Sequence, residues 1–255
     1  GFDKSFRISP DVTAQYIFSD SYIVYAKATG GKQLNDFRRL ESLCPYGDSY
    51  FSTTSAELSN RRPYDTYEQL NASLGLKASP YPGIWFQLFG GYQNLKNDLL
   101  YSYSSLSDTS IRTVSTMLAF TQIHTDNVYA GIKLTYDYKD VLSLSAHYIY
   151  RNWNSDNNEY LLAVKPENEA SISLNVHPTS ALQLNAGFDY ISRKEEATSF
   201  NMSDISDLHI GASYNVFKGV SVYAQVHNLL NKKYQYYLGY PAEGFNFLGG
   251  LSFRF

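Results

Sequence analysis

Apolar and polar residues alternate in a series of segments of about ten residues, and this alternation constrains the fold more than any other feature of the chain. One segment shows the pattern without interruption, with Ala170, Ile172, Leu174 and Val176 alternating with Ser171, Ser173, Asn175 and His177. Successive side chains of a β-strand point to opposite faces, so the pattern predicts a strand with one apolar and one polar face. About ten residues is also the length that a tilted strand needs to cross a bilayer.

The same alternation recurs along the chain. It is found in Leu70–Leu76, Ile84–Leu88, Ile132–Tyr138, Leu142–Tyr148, Leu182–Tyr190, Leu208–Val216, Val220–Val226 and Phe245–Phe255. The polar face carries mostly Ser, Asn, Gln, Gly, Thr and His, which suits an enclosed wet interior better than the open surface of a soluble sandwich. We therefore predict an all-β fold: an antiparallel up-and-down transmembrane β-barrel, or barrel fragment, with about 11 to 12 strands.

The connections between these segments alternate between tight and long. The tight turns are 19–21, 80–83, 139–140, 178–180 and 218–219, and the long polar loops are about 30–65, 104–112, 154–167, 192–206 and 231–244. This predicts one rim of short turns and one of long loops, with the C-terminus on the short-turn side. It requires Thr113–Tyr138 to be one long strand, with a bulge or kink at His124–Asn127 rather than a hairpin turn.

An odd strand count carries a further expectation, because single-chain bacterial barrels have even strand numbers with both termini on the short-turn side. On that basis the chain starts in the middle of a barrel, and the preceding strands lie outside this sequence. The alternative is that the fragment closes on itself or pairs with a neighbour. We treat residues 1–255 as one outer-membrane barrel segment, the C-terminal part of a barrel, with no plug domain.

Composition excludes several other classes of protein. The 21 Lys and Arg residues nearly balance the 24 Asp and Glu residues, so nucleic-acid binding is not expected. The single cysteine, Cys44, cannot form an internal disulfide and is interpreted as an inert thiol in a long loop. No apolar run approaches the roughly 20 residues of a membrane-spanning helix. Tyr (24) and Phe (15) are abundant, which favours strands.

Tyrosines cluster near the predicted strand ends. They are Tyr136 and Tyr138 beside a tight turn, Tyr148 and Tyr150 near a long loop, and Tyr234, Tyr236, Tyr237 and Tyr240 within another loop. Their amphipathic rings suit the headgroup level of a membrane. We therefore predict aromatic belts at both interfaces.

The sequence contains no pattern that predicts catalysis, a cofactor or a metal ion. His147, His177, His209 and His227 fall on the polar face, where hydrogen bonding in the lumen is the favoured interpretation over metal binding. The group Ser143, Ser145 and His147 shares one face, but neighbours at i and i+2 lie about 7 Å apart, too far for a direct hydrogen bond. We predict that the protein is not an enzyme.

The C-terminal quarter carries a more specific pattern. Its elements are Asn228–Tyr234 (NLLNKKY), Gly239–Ala242 (GYPA), Gly244 and the closing Gly249–Phe255 (GGLSFRF). This resembles the C-terminal signature of TonB-dependent receptors, although Glu243-Gly244-Phe245 stands where the family often has Pro-Gly-Arg. More diffuse similarity, near Pro10 and over Tyr64–Ala78, resembles a Bacteroidetes-like branch.

The resemblance implies a fold, a location and a function. It implies a barrel in the bacterial outer membrane that contributes an uptake pathway and loops for a nutrient such as a siderophore, haem, cobalamin or a glycan. It implies a barrel-assembly signal at Leu251, Phe253 and Phe255, read by the assembly machinery. Implied partners are outer-membrane lipid and lipopolysaccharide, with TonB engaged only through upstream segments. The alternative is a plugless structural or binding barrel, an adhesin or a complex subunit.

One charged loop within this chain is a candidate for ligand contact. It spans 31–65 and contains Arg38, Arg39, Arg61 and Arg62. These side chains suit an anionic ligand or lipopolysaccharide, but a solvated run of charge is the simpler interpretation.

Overall fold

The computed structural model describes residues 7–51, 63–108, 113–156, 159–194 and 202–254. The strands are β1 (Asp11–Ser19), β2 (Tyr22–Gln33), β3 (Asp48–Phe51), β4 (Thr66–Ala78), β5 (Ile84–Asp108), β6 (Thr113–Tyr138), β7 (Leu142–Asn154), β8 (Pro166–Val176), β9 (Leu182–Arg193), β10 (Ile205–Phe217), β11 (Val220–His227), β12 (Gln235–Tyr237), β13 (Tyr240–Pro241) and β14 (Asn246–Phe253). These residues also contain one α-helix, α1 (Phe37–Leu43), and one 3-10 helix (Glu159–Val164). Within the described residues, neither helix has the length and apolar character needed to cross a membrane.

Eleven strands form one antiparallel up-and-down sheet, in the order β1, β2, β4, β5, β6, β7, β8, β9, β10, β11 and β14. The short strand β3 pairs with β6 in parallel, and β12 with β13 forms a separate small hairpin. In the part of the chain that the structure describes, β1 and β14 are the two edges and do not pair with each other. The predicted all-β, up-and-down fold and its strand number are confirmed.

The two faces of the sheet differ as the alternation predicts. Cross-strand pairing keeps apolar residues in rows, one of which runs through Leu134, Ala146, Ile172, Phe188 and Leu208. Leu74 (67% exposed), Ile172 (48%) and Leu251 (63%) show that this face is open, so the apolar rows do not meet one another in a two-layer core. An open apolar surface of this extent needs an apolar surrounding such as lipid.

The opposite face is hydrogen-bonded and packed closely. Gln87 Nε2 donates to the Tyr25 hydroxyl at 2.6 Å across β2 to β5. The Tyr25 ring lies over Gly75, where a Cβ atom would come within 2.4 Å of it, and the Tyr129 ring lies over Gly91 at 2.6 Å. At Gly91 an added Cβ atom would also lie 2.5 Å from the Ala72 carbonyl oxygen, so a larger residue there would have to displace backbone as well as a ring.

The two rims have the predicted character. All five tight turns join consecutive strands at one rim, and the Arg254 N–H donates to the Gly219 carbonyl at 2.7 Å, which places the end of β14 beside them. The predicted loop 104–112 is wrong over most of its length, because β5 continues to Asp108 and β6 begins at Thr113. Cross-strand hydrogen bonding in this hairpin satisfies the backbone groups of a stretch that looks loop-like in sequence.

Thr113–Tyr138 is one strand, as predicted, and it contains no hairpin turn at His124–Asn127. The irregularity lies on the partner strand instead. Leu95 pairs with Thr125 and Asp98 pairs with Ile123, so the extra residue belongs to β5. Asn97, with φ 54, adopts the left-handed conformation that such a bulge needs and that asparagine tolerates.

The predicted aromatic belts are partly confirmed. Tyr138 and Tyr150 are exposed on the apolar face towards the ends of β6 and β7, but Tyr148, also exposed, lies in the middle of β7. The prediction is wrong for Tyr234, which is only 3% exposed, because the loop that contains it folds back into the long-loop rim. Loop packing, which no local pattern reveals, decides the position of this group of tyrosines.

Candidate ligand-binding rim

The buried core of this protein lies in the long-loop rim rather than between sheet layers. Beyond the bulge at Asn97, β5 and β6 continue as a projecting hairpin that carries Leu99, Tyr101, Leu118 and Phe120. These side chains form one cluster with residues of three other segments, namely Leu40, Cys44, Met202 and Leu238. The projecting hairpin is therefore the scaffold on which the rim is built.

The helix α1 crosses the hairpin and begins at a defined cap. The Asp36 carboxylate accepts from the Arg39 N–H at 3.0 Å, which satisfies one of the free donors of the first turn. Leu40 and Cys44, one turn apart, then face the cluster. Because Leu238 reaches the same cluster from the loop between β11 and β14, the sheet curls until the loops of distant strands meet.

The 3-10 helix covers a second side of the hairpin. Leu161 and Leu162 pack against Leu100. Just after the helix, the Lys165 ammonium lies 2.5 Å from Asp98 Oδ2, and the Asp98 side chain is only 4% exposed. A buried carboxylate of this kind depends on its partner cation.

Further contacts complete this ion pair. The Thr125 hydroxyl donates to Asp98 Oδ2 at 2.8 Å. Lys165 also lies over the Trp153 ring, 4.2 Å from its centroid, and Trp153 Nε1 donates to the Pro166 carbonyl at 3.0 Å. The carboxylate, the ammonium and the indole thus hold the 3-10 helix against the hairpin.

Stacked tyrosines lie at the opening of the rim. The rings of Tyr46 and Tyr240 are parallel, with centroids 3.7 Å apart, and Tyr237 meets Tyr46 edge-on at 5.6 Å. Tyr46 is 51% exposed and Tyr240 is 41% exposed, so an outer part of this stack remains open to solvent. Exposed aromatic faces of this kind suit planar or apolar parts of a ligand.

Two guanidinium groups, those of Arg39 and Arg193, lie near the buried apolar cluster of the rim. Burial lowers the pKa of Arg39, and the nearby carboxylates of Asp98 and Asp36 offset this effect in part. Arg193 donates to the carbonyls of Gln235 and Tyr236 at 3.4 Å each, and its buried Nε has no hydrogen-bond partner in the described residues. Partly desolvated guanidinium groups interact strongly with anions.

The arginines of the predicted loop 31–65 do not share one environment. Arg38 is exposed, whereas Arg39 belongs to the packed rim. Arg61 and Arg62 lie outside the described residues.

A buried ion pair anchors the far end of the same loop. Lys32 Nζ lies 2.8 Å from Asp65 Oδ2, and the Asp65 side chain is 2% exposed. Burial alone would raise the pKa of Asp65, but the bonds from Lys32 and from the Asn35 N–H (3.2 Å) outweigh it and lower the pKa. The carboxylate form is therefore favoured in the folded protein.

This network should weaken in acid. Because the folded-state pKa of Asp65 is lowered, its contribution is present above the ordinary Asp pKa of about 3.9 and is lost as the pH falls through the lowered value. We expect hydrogen-exchange protection of the Asn35 amide, relative to neighbouring rim amides, to decrease across that range. Asp65→Asn should remove the pH dependence. Equal acid sensitivity in the variant would contradict this assignment.

Cys44 is buried, at 1% exposure, and burial raises the pKa of its thiol. The expectation of an inert thiol therefore gains a physical reason, although the residue lies in the rim core rather than in an open loop. We expect maleimide to label it roughly a hundredfold more slowly in the native than in the unfolded protein. Ser42→Cys in a Cys44→Ser background, at an exposed position of α1, is the matched control and should react rapidly.

The serine and histidine group on β7 does not form a catalytic arrangement in the described structure. The register places Ser145 opposite Ser173 and His147 opposite Ser171, and no hydrogen bond joins His147 to Ser143 or Ser145. These side chains remain separate polar groups on the inner face.

The other histidines are partly brought together. The rings of His209 and His227 lie 5.8 Å apart on adjacent strands, and His209 Nδ1 is 3.9 Å from Asp189 Oδ2. His177 follows β8, in an exposed turn. The described residues contain no group of three or more His, Cys, Asp or Glu side chains with metal-binding geometry.

Sequence reasoning missed most of the rim. The unbroken apolar run Leu99-Leu100-Tyr101 marks strand residues buried on both faces, and the spacing of Phe37, Leu40 and Leu43 after Asp36 marks a capped helix. Both signals are short. The meeting of α1 with Met202 and Leu238 has no sequence signal at all.

The described sheet has an apolar outer face, a polar inner face and one rim of structured loops, and these features are those of an outer-membrane-type β-barrel wall. Solved structures share this fold. Pseudomonas aeruginosa FpvA, solved with heterologous pyoverdines, matches at TM-score 0.65 and 16% identity over 98% of this chain and 33% of FpvA. The copper transporter OprC matches at 0.64 and 14%, over 97% of this chain and 39% of OprC.

The Escherichia coli K12 ferric-catecholate import receptor Fiu matches at TM-score 0.62 and 14% identity, over 95% of this chain and 34% of Fiu. The chain thus has the barrel fold of TonB-dependent outer-membrane receptors and spans between a third and two fifths of these three proteins. No family model matches the sequence, and no curated protein matches it closely enough to count as a relative.

Proposed function

We propose that this chain forms part of the barrel of a TonB-dependent receptor in the bacterial outer membrane. There it supplies a wall of the uptake pathway and a ligand-contacting rim. The observation that carries the proposal is the exposed apolar face opposite a hydrogen-bonded polar face, across eleven strands. Only a lipid surrounding with an enclosed wet interior accommodates both faces.

Membrane fractionation with heat-modifiable gel mobility tests the location and the barrel. The protein from native cells should enter the outer-membrane fraction, and its band should shift when the sample is boiled, because a folded barrel resists detergent at room temperature. Soluble protein with a heat-insensitive band would contradict the proposal.

We propose that the rim binds a nutrient ligand, and its rings and guanidinium groups favour one with planar and anionic parts. The proposed ligands remain a siderophore, haem, cobalamin or a glycan. Tyr46 and Tyr240 offer partly exposed rings, and the guanidinium groups of Arg39 and Arg193 belong to the same loop rim. Stacking contacts of this kind contribute about 0.5–1.5 kcal/mol, or about 3- to 10-fold in affinity.

Ligand binding to whole cells tests the rim. A panel of ferric siderophores, haem, cobalamin and glycans identifies the ligand, and Tyr240→Ala should then lower its affinity about 3- to 10-fold. Tyr81→Ala is the matched control, since Tyr81 is exposed in a turn at the opposite rim. Equal affinities of the two variants would place the ligand elsewhere.

Energised uptake requires a plug domain and a segment that contacts TonB, and we propose that both precede this segment in the full-length protein. The alternative, a plugless binding barrel, is not favoured by the similarity to receptors and transporters. The precursor sequence distinguishes the two: a plug domain upstream supports transport, whereas its absence from the whole precursor supports binding alone.

We also propose that β14 carries the barrel-assembly signal. Leu251 and Phe253 are exposed on the same apolar face of this edge strand, and Phe255 lies outside the described residues. Phe253→Ser should reduce the amount of heat-modifiable barrel in outer membranes. Ser252→Ala, at the neighbouring position on the other face, should not.

A further inference from the structure

One lysine of the inner face is held over an aromatic ring by the packing beneath it. The Tyr25 ring on β2 lies over Gly75, its directly paired residue on β4. The Lys77 ammonium, two residues further along β4, lies 5.4 Å from the centroid of this ring. A separation below about 6 Å is that of a cation–π contact, which fixes the position of the charge.

The same arrangement recurs two strands away. The Phe89 ring on β5 lies over Gly131, its paired residue on β6, where an added Cβ atom would come within 2.6 Å of the ring. The Lys133 ammonium, again two residues beyond the glycine, lies 5.8 Å from the ring centroid. Lys77 and Lys133 are both exposed on the inner face, so their ammonium groups are positioned and yet accessible to a solute.

Gln87 lies between the two lysines. It is paired with Lys77 on one side and with Lys133 on the other, so the three residues form one row across β4, β5 and β6. Adjacent strands are about 4.8 Å apart, which places the two lysines roughly 10 Å from each other. Gln87 Nε2 donates one N–H to the Tyr25 hydroxyl at 2.6 Å, and its second N–H can serve an acceptor in the lumen.

The row keeps its positive charge, because no carboxylate of the described residues lies within ion-pair distance of Lys77 or Lys133. By contrast, Arg151 and Lys165 lie 2.6 Å and 2.5 Å from carboxylate oxygens. The first carboxylate further along the row is that of Asp189, three strands beyond Lys133 and thus ~14 Å away. This exceeds the Debye length of about 8 Å at physiological ionic strength, so Asp189 neutralises little of the charge.

We propose that Lys77, Gln87 and Lys133 bind a solute with two oxyanion groups, phosphates or carboxylates, on the wall of the uptake pathway. With an ammonium-to-oxygen distance of about 2.8 Å at each end, roughly 10 Å between the lysines leaves ~4 Å between the bound oxygens. A diphosphate or a short dicarboxylate has this span, and the Gln87 N–H donates to its middle. The inference rests on the proposed function, since the solute reaches this face only through an enclosed wet interior.

Titration calorimetry of the full-length protein in detergent tests the site, with pyrophosphate as the probe and inorganic phosphate as the single-group reference. In metal-free buffer with about 0.15 M NaCl, the wild type should bind pyrophosphate about fivefold more tightly than phosphate, because only pyrophosphate reaches both lysines. Lys77→Gln and Lys133→Gln should each lower the pyrophosphate affinity about fivefold and thereby remove this preference.

Lys27→Gln is the matched control. Lys27 is an exposed lysine of the same inner face, two residues beyond Tyr25, and in the described structure it lies over no aromatic ring. Its loss should change the pyrophosphate affinity less than about twofold. Equal affinities of the wild type for pyrophosphate and phosphate would overturn the proposal. So would an unchanged affinity in both Lys77→Gln and Lys133→Gln, or a loss in Lys27→Gln as large as in Lys133→Gln.

Heat-modifiable mobility of the same samples separates this inference from the proposed function. A heat-modifiable barrel that shows no preference for pyrophosphate contradicts the oxyanion site alone. A protein that shows no barrel behaviour contradicts the proposed function as well.

Discussion

Ile172→Arg will destabilise the folded barrel by about 2–4 kcal/mol, which is the cost of a cationic side chain near the middle of a lipid-facing strand. Ile172 lies four residues above Val176, the short-turn end of β8, and its side chain is half exposed on the apolar face. No acidic partner on that face offsets the charge, since its cross-strand neighbours are Ala146 and Phe188. Equilibrium unfolding in lipid vesicles measures the effect.

Ser171→Arg is the matched control, one residue away on the other face. Its cross-strand neighbours are His147 and Asp189, so an arginine there meets polar groups and a carboxylate. We expect a change below about 1 kcal/mol, as for other lumen-facing positions. If Ser171→Arg were the more damaging of the two, the faces would be reversed and the membrane interpretation would fail.

Loss of the Lys165 ammonium should cost about 3–5 kcal/mol in the local stability of the rim, because Asp98 would be left buried and uncompensated. The two groups are 2.5 Å apart, and their side chains are 16% and 4% exposed. Lys165→Ala should therefore release the 3-10 helix from the hairpin. Hydrogen exchange of Glu159–Val164 and of the facing part of β5 measures the opening.

A double variant separates the charge from the packing. In Asp98→Asn with Lys165→Met, no buried charge remains and the methionine retains the contact with Trp153, so most of the loss should be recovered. Lys165→Ala should leave the heat-modifiable barrel intact, because the pair lies beyond the bulge at Asn97. Exchange in Lys165→Ala as slow as in the wild type would show that the apolar contacts of Leu161 and Leu162 suffice.

The faces of the strands could be predicted from local sequence, whereas the position of the bulge could not. The alternation in Ala170–His177 identifies both faces of β8, because a strand has a period of two and each residue therefore reports its own side. The bulge was located less well. His124–Asn127 contains turn-forming residues, yet the extra residue is on β5, since a bulge depends on the relative register of two strands.

By itself, the sequence determined the all-β class, the two faces of the sheet, the tight turns and the long Thr113–Tyr138 strand, because each follows from neighbours in the chain. Only the tertiary structure decided that Tyr46 stacks on Tyr240 and that Leu40 packs with Leu238. These partners are almost two hundred residues apart in sequence and meet only because the curled sheet brings their loops together. The rim that we propose to contact ligand is thus a product of long-range packing, for which the chain carries no periodic signal.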